Sequence, residues 1–146
     1  MAPFTSVEEF RRTFDALFGL LSRDADAGPR LRAKKTPQRY VFTDVSLVLS
    51  VGDADEKRAR TGDHLVWVWE DDVRPWAPKV TLELTSEVAN RYFQGKENVP
   101  LAVALGRITL LDGDLRDVLD LLPIVMPFHP KWVRHLKSTG QLHLLA

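Results

Sequence analysis

The chain has 146 residues, 45% hydrophobic and 27% charged, with 20 Lys and Arg against 20 Asp and Glu and no cysteine. That length supports one domain with a real core, so residues 1–146 are read as a single domain. The charge balance supplies no field toward nucleic acid or an anionic membrane, and the lack of Cys excludes disulfides, thiolate catalysis and Cys-based zinc sites.

MAPFTSVEEFRR lacks the basic-then-apolar layout of a secretory leader, and no apolar run approaches the roughly 18 residues of a membrane span. The expectation is a cytoplasmic protein without an integral span. Ser6 and Glu9 have capping-box spacing, and Val7, Phe10, Phe14, Leu17, Phe18 and Leu21 recur at helical intervals, predicting an amphipathic helix that ends near Arg23. Residues 24–39, with Gly28, Pro29 and Pro37, read as a loop. RYVFTDVSLVLSVGD, 39–53, alternates throughout and predicts one long, bent strand. The charged run 54–63 is a solvated turn into a strand over 64–70.

That strand, LVWVWE, opens a stretch holding three of the four tryptophans within ten residues. Alternation puts Trp67 and Trp69 on one face and Val66 and Val68 on the other, so both faces are apolar and both need cover. Glu70, Asp71 and Asp72 read as an exposed acidic turn. VTLELT, 80–85, is a one-sided strand with Val80, Leu82 and Leu84 facing in.

The period then changes from two to 3.6. Thr85 or Ser86 caps a short helix carrying Val88, Ala89, Tyr92 and Phe93, stopped by Gly95. Asn98 and Pro100 open a second, PLAVAL, that is apolar on every side and must be buried or close over something. RITLL, 107–111, reads as a strand, and Asp114 caps the helix LRDVLDLL before Pro123. Prolines 123, 127 and 130 make the following segment a kinked apolar arm, with helix resuming from Pro130.

Runs of helices between strands give an α+β class: a mainly antiparallel sheet of four to five strands with helices packed on one face. The two-faced tryptophan strand, PLAVAL and PIVMPF are apolar segments in apparent surplus, and together they can enclose a mostly apolar pocket. Candidate lining residues are Trp67, Trp69, Phe93, Leu101, Val103, Leu119, Met126, Phe128 and Trp132. If Trp69 lines such a pocket, Trp69→Ala loses lipid binding more than folding. Catalytic patterns are missing. His129 and His135 are six apart, on different helix faces, and no carboxylate cluster joins them. DADAG and GDADEK fail as calcium loops, with Lys35 or His64 at the twelfth position. No serine sits in a nucleophile elbow, and no glycine loop cradles a phosphate. No metal, cofactor or nucleic acid is expected.

From Trp67 onward the sequence resembles the sterol carrier protein type-2 family, in the manner of its bacterial stand-alone members. The resemblance rests on VTLELT running into SEVANRYFQGK, then PLAVAL, then Gly106-Arg107-Ile108-Thr109-Leu110, Gly113-Asp114 and a Leu-rich helix. It covers about half of the chain. It implies a five-stranded sheet with a hydrophobic tunnel between sheet and helices, used without catalysis to bind and transfer a sterol, fatty acid or acyl-CoA. The fifth strand would fall in VRPWAP, 73–78, as a short edge strand. The final HLLA lacks the peroxisomal tripeptide of some animal members. A second reading makes the tryptophan strand or the proline arm an interface, for another copy or for a larger enzyme of lipid or steroid metabolism.

Overall fold

The computed structural model describes residues 3–70 and 74–146. The expected acidic turn at Asp71 and Asp72, and Val73, lie outside the described residues. Five strands form one sheet: β1 (Gln38–Phe42), β2 (Leu47–Asp53), β3 (Leu65–Glu70), β4 (Val80–Leu84) and β5 (Thr109–Asp112), in spatial order β3-β2-β1-β4-β5. The β1–β4 pair is parallel and the other three pairs are antiparallel. The α+β class with a mainly antiparallel sheet is therefore what the structure has.

The fifth strand does not come from the described residues 74–78. It arises because residues 39–53 are a hairpin, β1 and β2, rather than one strand. The chain reverses over residues 43–46, where Ser46 takes the left-handed conformation at φ 55°. Asp44 and Ser46 are turn residues, but Val45 between them is apolar and buried, so the alternation runs through the turn unbroken. Asp44 also accepts from the backbone N–H (2.8 Å) and hydroxyl (2.6 Å) of Ser86, joining the hairpin to the start of a later helix.

Helix α1 (Val7–Arg23) begins as its capping box predicts: the Ser6 hydroxyl accepts from Glu9 N at 3.0 Å, and Glu9 reaches back to Thr5 N. Its apolar stripe lies on the sheet face of Tyr40, Phe42, Leu49 and Trp69, where Phe10, Phe14 and Phe18 form edge and tilted ring contacts with Phe42, Tyr40 and Phe93. The segment expected as loop contains α2 (Ala27–Lys34). Asp24 starts it by accepting from the backbone of Asp26 and Ala27, and Pro29 is tolerated in its first turn, where its missing N–H is not needed. Gly28 is required there because a Cβ would stand 2.7 Å from the Ser22 carbonyl. A further short helix, α3 (Glu56–Arg60), is capped by Asp55 within the charged run.

β3 and β4 run parallel to each other, and of the segment between them Trp76 lies on the sheet face opposite α1. Trp76 packs there on Gly52, where a Cβ would lie 2.8 Å from the indole. The chain itself thus supplies part of the outer cover. On the same face Arg39 and Ser50 both reach the Glu70 carboxylate at 2.8 Å.

The inner face is completed by α4 (Ser86–Phe93), α5 (Val99–Ala104), α6 (Leu115–Leu119), α7 (Leu122–Val125) and α8 (His129–Ser138). Thr85, Asn98 and Asp114 cap α4, α5 and α6, and left-handed Gly95 and Gly106 end α4 and α5. The kinked arm is α7 followed by a single tight turn, Met126–Phe128, leading into α8. Asn90 and Gln94 both donate to the Leu144 carbonyl, and Ala146 N donates to Gln94, which ties residues 144–146 to α4.

Candidate functional site

Two small cavities lie between the sheet and the helices. The first, about 20 Å³, is bordered by Phe18 and Leu21 of α1, Leu31 of α2, Tyr40, Val51, Leu65, Tyr92, Phe93 and Val125, with Thr36, Gln38 and Asp53 as its polar wall. The second, about 10 Å³, is wholly apolar, between Tyr40, Leu82 and Leu84 of the sheet and Tyr92, Val99, Val103, Ile108, Leu115 and Val118 of the helical side. Each has room for about one water molecule.

Tyr40 and Tyr92 border both cavities, so this pair of phenols is the partition between them. Tyr40 lies in the central strand and stacks on Phe42; Tyr92 lies on α4 with its ring edge-on to Phe93. The Tyr40 hydroxyl donates to Gln38 Oε1 at 3.2 Å. Burial pushes Tyr92 up to about 12, and burial together with the neighbouring Tyr92 holds Tyr40 well above its ordinary value. Both phenols stay protonated across the physiological range. At the polar wall of the first cavity, burial raises Asp53 while Arg32 and Lys35 partly offset it.

Of the residues expected from sequence to line a pocket, Phe93 borders the first cavity and Val103 the second. Trp67 and Trp69 are docking points for α1: both indole N–H groups donate to Asp15 Oδ1, at 3.1 and 2.7 Å, and the Arg11 guanidinium sits 5.5 Å from the Trp69 ring centroid. Trp132 and Phe128 are buried in the core without bordering either cavity, and Leu119 is half-buried against it. Leu101 is 49% exposed and Met126 59% exposed, so PLAVAL and PIVMPF each turn one side to solvent. Met126 stands beside a surface groove with Val133, Lys96, Arg134 and Lys137.

Sequence reasoning missed Tyr40 and Tyr92 because each sits at an ordinary inward position of its element. The signal available was chemical: a tyrosine in an otherwise hydrocarbon stripe brings a hydroxyl that needs a partner. Among the described residues, no cluster of three His, Asp or Glu is placed to hold a metal ion.

The architecture is that of a sterol carrier protein type-2-like domain. The ubiquinone synthesis protein UbiJ-SCP2 superposes with a TM-score of 0.58 at 11% identity, over 78% of this chain and 90% of that one. The stereoselective inverting sec-alkylsulfatase Pisa1 from Pseudomonas sp. superposes with a TM-score of 0.58 at 21% identity, over 76% of this chain. The chain spans only 16% of the length of that sulfatase. No family model and no curated protein sequence matches.

Proposed function

We propose that the chain is a non-catalytic, cytoplasmic lipid-binding and transfer domain that takes a sterol, fatty acid or acyl-CoA between its sheet and its helices. The observation that carries this reading is the pair of cavities meeting at Tyr40 and Tyr92, in a fold of the sterol carrier type. Phe93 and Val103 are the expected lining residues that take part. Ligand entry requires displacement of side chains and of the short helices α5 and α6. Burying roughly 300–400 Å² of a ligand at about 25 cal/mol/Å² yields about 8–10 kcal/mol gross. Association and opening costs reduce this to an affinity around micromolar.

Displacement of a fluorescent fatty acid, alongside native mass spectrometry of gently extracted protein, tests the reading. Saturable displacement or a co-purified lipid supports it; neither being observed overturns it.

A second reading is an accessory module of a larger lipid- or steroid-metabolising enzyme, or a homodimer. It is favoured by the occurrence of this fold as a small part of the sulfatase chain and by exposed Leu101, Leu105 and Leu111 around α5 and β5. Light scattering that shows a strict monomer, with no partner retained in pull-down, counts against it.

A further inference from the structure

The chain carries no net charge, yet one of its surfaces is almost entirely of one sign. Helix α8 is a ridge between two open grooves, of about 510 and about 550 Å³, each far larger than the internal cavities. The first lies toward the end of α1, with Leu20 and Phe128 against Arg23, Lys131 and Arg134. The second lies toward the end of α4, where Met126 and Val133 stand among Lys96, Arg134 and Lys137. Asp24 is the single carboxylate among the lining residues, and Lys131 pairs with it at 2.7 Å. Arg23 is taken by Asp63 at 3.3 Å. Lys96, Arg134 and Lys137 are exposed and have no ion pair among the described residues. Glu97, next to Lys96 in sequence, does not compensate them: its side chain is 1% exposed and held by Arg91 and Arg107. α8 itself contains no Asp or Glu. Apolar groups lie open within this field, with Met126 59% and Leu20 39% exposed.

We propose that α8 and the tight turn before it dock the chain on a lipid bilayer that carries anionic headgroups, with Lys96, Arg134 and Lys137 on the phosphates and Met126 entering the headgroup layer. This goes beyond the lipid-binding reading and stands or falls separately from it. Charge complementarity sets the sign of the partner: unpaired cations gathered on one surface repel one another and are relieved by an anionic one. The apolar groups select the bilayer. A polyanion gains nothing from an exposed methionine, whereas a headgroup layer takes up apolar side chains and cations side by side. The ridge between two grooves suits a fluid partner, because mobile headgroups move into both depressions without a matching shape. Zero net charge does not oppose docking, since salt screens charges more than about 10 Å away and the local cluster decides the attraction.

The test is co-sedimentation of the full chain with vesicles of phosphatidylcholine alone and of phosphatidylcholine mixed with phosphatidylglycerol. Each unpaired cation at an anionic surface is worth about fivefold in affinity, so the mixed vesicles are expected to bind about a hundredfold more tightly, and less so as salt is raised. Arg134→Gln with Lys137→Gln is expected to weaken docking on the mixed vesicles by about 25-fold, and Met126→Ser by about tenfold. Arg12→Gln with Lys57→Gln removes the same charge from exposed positions outside both grooves and is expected to leave docking unchanged. Arg134→Lys keeps the charge and is expected to dock like the wild type, which separates loss of charge from loss of fold; exposed substitutions of this kind melt close to the wild type. Equal binding to the two kinds of vesicle, or equal loss in the two double variants, overturns the proposal. Retention on heparin as tight as docking on the mixed vesicles, with Met126→Ser undiminished on both, assigns the surface to a polyanion and overturns the bilayer. Docking without displacement of a fluorescent fatty acid supports this inference and removes the lipid-binding reading; displacement without docking does the reverse.

Discussion

Asp15 Oδ1 accepts from two indole N–H groups, and this single atom determines what the tryptophans of β3 do. Trp69 is buried against Phe10 and Phe42 and held to α1, so it behaves as core. Trp69→Ala is therefore expected to destabilise folding by about 3–5 kcal/mol, measured by urea denaturation, with any loss of ligand binding following the loss of fold. This reverses the expectation drawn from the sequence, in which binding suffers first. A second residue, His129, packs beside Gly95, and its Nε2 is buried without a partner among the described residues. Burial lowers its pKa. Above the unfolded value of about 6.5 both states are neutral. As pH falls below it the unfolded chain binds the proton more readily, so stability declines toward the lower folded value. Melting temperature is expected to drop between pH 7 and 5, and His129→Asn to flatten that slope; an unchanged slope contradicts the assignment. The alternation of LVWVW made the shared face of Trp67 and Trp69 legible. Their partner was not, because Asp15 is a solvent-side residue by helical period and only the docking angle of α1 brings it under both rings.

At the scale of elements, α1, β3, β4, α4 and α5 were legible because their caps and periods agree: Ser6, Thr85 and Asn98 each accept the backbone N–H that their position predicts. The β1–β2 hairpin was not, since a four-residue turn containing a buried valine preserves period two. α2 was not, since only Ala27, Gly28 and Leu31 of its eight residues are buried and no apolar stripe results. β5 lies next to a glycine that its geometry demands: Gly113 has φ 96°, and a Cβ there would stand 2.4 Å from the Lys79 carbonyl. Gly113→Ala is expected to cost more than about 1 kcal/mol by chemical denaturation, well beyond an exposed-loop substitution. The elements also differ in stability. β1 lies at the centre of the sheet with partners on both sides, whereas α5 and α6 are short and half-exposed. Amide exchange is expected to be fastest in α5 and α6 and slowest in β1, β2 and β4; slow exchange in α5 would remove the route proposed for ligand entry.

For the whole molecule, composition and the order of elements were enough to place the chain in an α+β class with helices on one face. They could not show how full the interior is. Apolar segments that look surplus in the sequence are shared out in three dimensions: Val99 and Ala102 of α5 and Ile124 and Val125 of α7 enter the core, while Leu101, Leu105 and Met126 remain outside. Two small cavities lie between sheet and helices, so the proposed lipid would bind by opening this layer rather than by filling a ready-made space. Hydrogen exchange followed by mass spectrometry, with and without a saturating fatty acid, tests this most directly. Peptides covering 99–119 and the segments containing Tyr40 and Tyr92 are predicted to gain protection on binding. Bound fatty acid with no added protection there, or protection confined to the surface groove of Lys96, Met126 and Lys137, would contradict it.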